Sequence, residues 1–137
     1  MMRIYQGVDL VGVAKFKDIF QRNKDFVSDI FTEAERGYCL SKKDPYTHFA
    51  GRFAAKEACI KALGIGLSGA GIDHSFQDIE VTSHSSGKPL ISVNGWAAKV
   101  AAKRGINQLT VSISHSSDYA VATVVLVGDD QKEMSNT

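Results

Sequence analysis

Four side chains in this sequence are polar where their surroundings are apolar: Asp9, Glu57, Lys61 and His115. Two carboxylates suit a hard, oxygen-seeking cation such as magnesium, which takes one or two of them and fills its shell with water and substrate phosphates. Zinc fits less well, because one histidine without clustered cysteines offers too few nitrogen and sulfur ligands. With magnesium on a diphosphate, Lys61 would neutralise charge growing on a departing phosphate, and His115 would hold another phosphate or a ribose oxygen. Each residue also has a purely structural reading. Asp9 can cap a turn or pair with an arginine. Glu57 and Lys61, four apart in the favourable order, can form a helix ion pair worth roughly 0.3–0.5 kcal/mol. His115 can be a hydrogen-bonded residue at a strand end.

The stretch RFAAKEACIKALG, Arg52 to Gly64, must position the middle two. At 3.6 residues per turn, Phe49, Phe53 and Ile60 make one stripe and Ala54, Ala58 and Ala62 another. This helix, from about Tyr46 to Leu63 with Gly64 as its stop, is therefore expected to be buried. Glu57 and Lys61 fall between the stripes, where an unpaired charge is costly. Asp9 belongs to RIYQGVDLV, a strand with Ile4, Val8 and Leu10 on one face and Tyr5, Gly7, Asp9 and Val11 on the other. His115 follows Leu109, Val111 and Ile113 on the inward parity of LTVSISH. That strand is expected to pair with YAVATVVLV in a hairpin through Ser116, Ser117 and Asp118.

The remaining elements follow from pattern and punctuation. GVAKFKDIFQRNK reads as a helix with Val13, Phe16, Ile19 and Phe20 inward. On its other side Lys15, Lys17, Arg22 and Lys24 meet one acid, Asp18, which makes a solvated face or a dock for an acidic protein. Thr32 to Glu35 has the form of a capping box opening a helix to about Leu40. After Gly64, GIGLSGAG is a glycine-rich connection that lets a nucleotide approach the backbone or serves simply as a loop; it is neither a Walker A loop nor a Rossmann fingerprint. FQDIEVTSHSSGKPLISVNG reads as a hairpin whose turn presents Lys88 beside a glycine, suited to a phosphate or merely solvated. Asn94 is placed to cap a helix through Arg104, stopped by Gly105. The interleaving of helices with antiparallel hairpins gives an α+β fold, helices packed on a mostly antiparallel sheet.

The totals agree with one soluble domain. The chain has 137 residues, 44% of them apolar and 23% charged, which argues against disorder. A net charge of +1 leaves no global pull toward nucleic acid. No apolar run approaches the roughly 18 residues of a membrane span, and MMRIYQGVDL lacks the layout of a signal peptide, so a cytoplasmic location is expected. Cys39 and Cys59 lie in apolar helical patterns without a CxxC, as free, buried thiols. From Gly128 the tail loses its apolar pattern and is expected to fray, leaving residues 1–127 as a single domain.

Three blocks carry a resemblance: GVDLV (Gly7 to Val11), GRFAAKEACIKALG (Gly51 to Gly64) and SISHSSDYAVATVV (Ser112 to Val125). In order and spacing they resemble holo-acyl-carrier-protein synthase, the small class of phosphopantetheinyl transferases, and FQDIEV and SGKP are similar too. The resemblance runs to about Val127 and implies the phosphopantetheinyl transferase-like fold. It implies transfer of phosphopantetheine from coenzyme A to a serine of an apo acyl carrier protein, with release of adenosine 3',5'-bisphosphate. Asp9 and Glu57 map to the family's magnesium ligands, and Glu57, directly or through water, to the base. Lys61 would stabilise the departing phosphate. Arg52, Lys61, Gly64, Lys88, Pro89, His115 and Ser116 fall on the coenzyme side, and Lys15, Lys17, Arg22 and Lys24 on the carrier-docking side. Small members of the family are homotrimers with sites between subunits. One departure stands out: the family usually carries an acid shortly beyond the first-block aspartate, where this chain has Gly12 and Val13. The competing readings are a noncatalytic coenzyme A or nucleotide-binding module and a structural oligomer with ion-paired helices.

Overall fold

The computed structural model describes residues 1–64 and 76–129. Its elements run β1 (Met2–Gly12), α1 (Val13–Arg22), α2 (Lys24–Ile30), α3 (Glu33–Leu40), α4 (Pro45–Leu63), β2 (Ile79–Ser83), β3 (Pro89–Val93), α5 (Gly95–Lys103), β4 (Ile106–His115) and β5 (Tyr119–Asp129). The expected glycine-rich connection, apart from Gly64 itself, lies outside the described residues, as does the tail beyond Asp129. Strand β5 keeps its ladder through Gly128 and Asp129, two residues past the expected end of the apolar pattern. The fold is α+β, as expected.

Strands β1, β5 and β4 form an antiparallel sheet in that order, while β2 and β3 make a separate two-stranded hairpin. In the register Asp9 sits opposite Ala122, which sits opposite Ile113; Val11, Ala120 and His115 line up one pair on. The alternation of β1 is as read. Gly7 is buried and Tyr5, Asp9 and Val11 are partly so, whereas Ile4, Val8 and Leu10 are exposed.

Helix α4 lies across the inner face of this sheet, and thirteen of its 19 residues are buried, so the apolar-all-round pattern does mark a central helix. Close approach is needed for that. A Cβ on Gly7 would overlap the Ala58 carbonyl oxygen, and one on Gly51 would come within 2.9 Å of the Ile113 side chain. Gly64 ends the helix in the left-handed region at φ 76°, where a glycine carries no steric penalty.

All seven phenylalanines join in one aromatic cluster that packs the first two helices onto α4. Phe16 is its hub, 5.6 Å from Phe53 and 5.7 Å from Phe26. Three local expectations are corrected here. The basic helix stops at Arg22, because Asn23 is extended and its side-chain amide bonds back to the Ile19 carbonyl, so Lys24 opens α2 instead. Ile19 stays exposed rather than inward, since Phe16 and Phe20 already fill the seam. Asn94 makes no side-chain cap on α5; the Asp78 carboxylate takes the Trp96 amide at 2.8 Å from outside the helix. The capping box of α3 forms as read, with both reciprocal hydrogen bonds between Thr32 and Glu35.

Candidate active site

Pressing α4 against β1 brings three of the four odd polar residues together. Lys61 Nζ lies 2.9 Å from Asp9 Oδ1 and also donates to the Val8 carbonyl at 3.2 Å. The Asp9 side chain is only 12% exposed, against 45% for Lys61, so the aspartate is the fixed member of the pair. The expected Glu57–Lys61 helix pair gives way to this cross-element pair, because Asp9 reaches the ammonium first. Glu57, half-buried, instead shares a hydrogen bond with Asp9.

Burial, the Asp9 charge and that hydrogen bond push the Glu57 carboxyl up to about 7, with Lys61 pulling weakly the other way. The bond to Asp9 in turn holds the Lys61 ammonium above its ordinary range. Two carboxylates in contact repel when both are ionised, so the site favours either a shared proton or a cation. This donor set fits magnesium, which asks for one or two carboxylates and leaves the rest of its shell to water and phosphate. At Gly12 an added Cβ would meet nothing within 4 Å, so the missing acid is not excluded by crowding.

His115 does not join this group. Residues 48 and 57 are nine apart, about half a turn in angle along a helix, so α4 presents a second set on its opposite flank. There His115 and His48 place their rings 5.2 Å apart, and His48 in turn packs edge-on to Tyr38 at 5.9 Å. The Arg52 guanidinium lies 4.0 Å above the Tyr38 ring and donates to Ser83 Oγ at 2.8 Å. Arg52 is only 4% exposed, yet its Nε has no hydrogen-bond partner among the described residues. Lys42 Nζ sits 4.6 Å over the same Tyr38 ring. The Ser83 hydrogen bond, outweighing burial, and the two nearby cations hold the Tyr38 phenol below its ordinary range.

Pro89 pairs with Ser83 across the hairpin, which puts the SSGKP turn beside Arg52, while Lys88 is exposed at its tip. Ser116 is exposed in the β4–β5 turn, its hydroxyl accepting from the Asp118 and Tyr119 amides at 3.2 Å each. On the basic helix Arg22 is tied to Asp18 at 3.1 Å and Lys17 lies over the Tyr46 ring, with Lys15 exposed.

Sequence reasoning missed Lys56 and His48. Lys56 is wholly buried and pairs with the equally buried Glu35 at 2.8 Å, donating also to the Phe76 and Ile79 carbonyls. Glu35 further accepts from the Val81 amide at 2.7 Å, so the pair pins α3, α4 and β2 together. Its signal was a lysine directly after Ala54 and Ala55 on a buried helix. His48 gave none, because its meaning depends on a strand 67 residues later (115 − 48).

A family model described as the 4'-phosphopantetheinyl transferase superfamily matches residues 6–124. The chain belongs to that superfamily. Its similarity to curated members is close along the whole length. A holo-[acyl-carrier-protein] synthase of Syntrophotalea carbinolica is 47% identical, covering 90% of this chain and 94% of the relative. One of Caldanaerobacter subterraneus subsp. tengcongensis is 41% identical, covering 94% and 98%. Among solved structures, the Chronobacterium ammoniagenes ACPS-CoA complex superposes with a TM-score of 0.82 at 31% identity, covering 93% of this chain and 98% of that one. The Bacillus anthracis holo-(acyl-carrier-protein) synthase in complex with CoA (3',5'-ADP) gives 0.75 at 34% identity, covering 94% and 100%.

Proposed function

We propose that this chain is a holo-[acyl-carrier-protein] synthase, moving phosphopantetheine from coenzyme A onto a serine of an apo acyl carrier protein and releasing adenosine 3',5'-bisphosphate. The observation that carries the proposal is the Asp9–Glu57–Lys61 group, set in a chain that spans its synthase relatives almost end to end. Transfer requires the serine oxygen to bond to the phosphorus next to pantetheine, while that phosphorus releases the oxygen leading to the adenosine half. Glu57, directly or through a water, takes the serine proton; a carboxylate poised near 7 suits a base working at neutral pH. Lys61, aligned by Asp9 and the Val8 carbonyl, faces the charge that collects on the departing bisphosphate. Asp9 and Glu57 would hold magnesium, which when bound neutralises the coenzyme diphosphate.

The opposite flank of α4 suits the adenosine end. Arg52, whose buried Nε has no hydrogen-bond partner among the described residues, and His115 offer donors to a phosphate, with Lys88 and Pro89 on the neighbouring hairpin and Ser116 next to His115, while Gly64 closes α4 on the Lys61 side and would border the coenzyme there. The two groups face different flanks of α4, which favours sites shared between copies. The outer sheet face supports this: Ile4, Val8 and Leu10 stand exposed beside Val121, Val125 and Val127, an apolar surface for neighbouring subunits of a homotrimer. Lys15, Lys17, Arg22 and Lys24 form a basic surface for the acidic carrier, speeding its approach more than tightening it. Free, buried Cys39 and Cys59 accord with a cytoplasmic location.

The test is the intact mass of purified apo acyl carrier proteins after incubation with this chain and coenzyme A, with and without magnesium. A gain of one phosphopantetheine that requires magnesium is expected. Coenzyme binding without transfer to any carrier would instead mean a noncatalytic coenzyme-binding module.

A further inference from the structure

His48 is a half-buried imidazole in a strongly cationic setting. Its ring meets His115 of β4 at 5.2 Å and Tyr38 of α3 at 5.9 Å. The charged groups acting on it come from three sides: His115 from the sheet, Arg52 one turn along α4, and Lys42 from the end of α3. The carboxylate opposing them is Asp44 at the start of α4, and its effect is the smallest. Burial first, then His115 and the two cations, push His48 below the ordinary histidine range. Nothing in the transfer chemistry uses this residue, yet it lies between the phosphate donors His115 and Arg52, and Arg52 keeps a buried N–H without a partner among the described residues.

An excess of positive charge with an unsatisfied buried donor is a site short of an anion. A phosphate dianion placed there would meet Arg52 and His115 and would favour the charged form of a third group beside them. We propose that His48 is a second imidazole of the coenzyme-end phosphate site and binds a proton when the phosphate arrives, so that coenzyme binding and product release are coupled to pH. The inference rests on the coenzyme A reading of this flank. It makes His48 a binding residue that is neutral and silent in the free protein and charged in the complex. Phosphate affinity then falls as pH rises, because the complex must surrender the proton that His48 acquired.

The probe is adenosine 3',5'-bisphosphate, titrated calorimetrically into the full chain at pH 7 in two buffers of different ionisation heat, which counts protons taken up on binding. Wild type is expected to take up about half a proton more than His48→Gln or His48→Phe, consistent with a shift of one unit or more for a histidine beside a new opposite charge. Between pH 6.5 and 8.5 its affinity should fall about fourfold more than that of either variant. His48→Phe keeps the ring packing on Tyr38, and titration of the His48 ring by NMR in wild type, with and without the bisphosphate, gives the answer without a variant. Tight binding with equal proton uptake in all three proteins, and a His48 ring whose titration the bisphosphate leaves unmoved, overturns the role of His48 alone. Failure of wild type to bind the bisphosphate at all overturns the coenzyme reading and the inference with it.

Discussion

Asp9 and Glu57, one on the first strand and one on the central helix, meet carboxyl to carboxyl, with Lys61 bound to Asp9 at 2.9 Å. Glu57 titrates near 7 in the folded chain against an ordinary 4.5, so the folded state holds more protons than the unfolded one between those values. Its contribution to stability is therefore full below pH 4.5, falls as pH rises through 7 and is gone above it. A cation binds the ionised pair best. Magnesium should thus raise the melting temperature more at pH 8 than at pH 5.5, and Glu57→Gln, which keeps a donor to Asp9, should melt higher than wild type at pH 8 without metal. Equal magnesium shifts at both pH values would count against a metal site on this pair.

Gly7 belongs to the GVDLV block for a reason of space. A methyl group there collides with the Ala58 backbone, so Gly7→Ala must push α4 off β1 and part Lys61 from Asp9. A loss of about 2 kcal/mol or more in urea unfolding is expected, typical of overpacking against backbone. Gly12→Ala, whose Cβ meets nothing, should leave stability within about 0.5 kcal/mol of the parent. Equal stability of the two variants would contradict the packing described for α4.

The buried Lys56–Glu35 pair calls for a double-mutant cycle. Lys56→Met leaves the Glu35 carboxylate buried with its ammonium gone, a loss of about 3–5 kcal/mol. Glu35→Gln keeps one acceptor oxygen for the Thr32 and Val81 amides, sets an NH2 against the other, and leaves the lysine unpaired. The double variant should cost clearly less than the two singles together. Additive losses would mean that the two charges do not support each other.

What the sequence revealed and what it hid divide along range. The capping box at Thr32, the alternation through Asp9 and the parity of His115 are local patterns, and the structure reproduces them. The Glu57–Lys61 pairing failed because a nearer partner came from β1, 52 residues away in the chain. The cap on α5 failed for the same reason: Asp78 outcompetes the local Asn94. Lys56 and His48 acquire meaning only through Glu35 and His115, which no window of sequence places beside them. The Asp9–Glu57 pair was legible because both carboxylates stand out against apolar neighbours. That Arg52 and His115 face away from it across α4 was not.

That separation bears on assembly. If Asp9 and Glu57 of one copy work with His115 of another, a charge on the outer sheet face should abolish transfer while leaving each chain folded. Val8→Asp, whose side chain is 54% exposed on the sheet face away from α4 and whose backbone carbonyl to Lys61 is kept, is the variant to use. Light scattering should show three associated chains in wild type and one in the variant, with transfer lost and helical circular dichroism unchanged. A fully active monomer would contradict shared sites.

The most direct test of the central claim is transfer by Glu57→Gln. The substitution preserves size and the hydrogen bond to Asp9 but removes the base. The account predicts no phosphopantetheine mass added to the carrier over times in which wild type completes the reaction, with folding and trimer formation intact. Transfer by Glu57→Gln at the wild-type rate would contradict it.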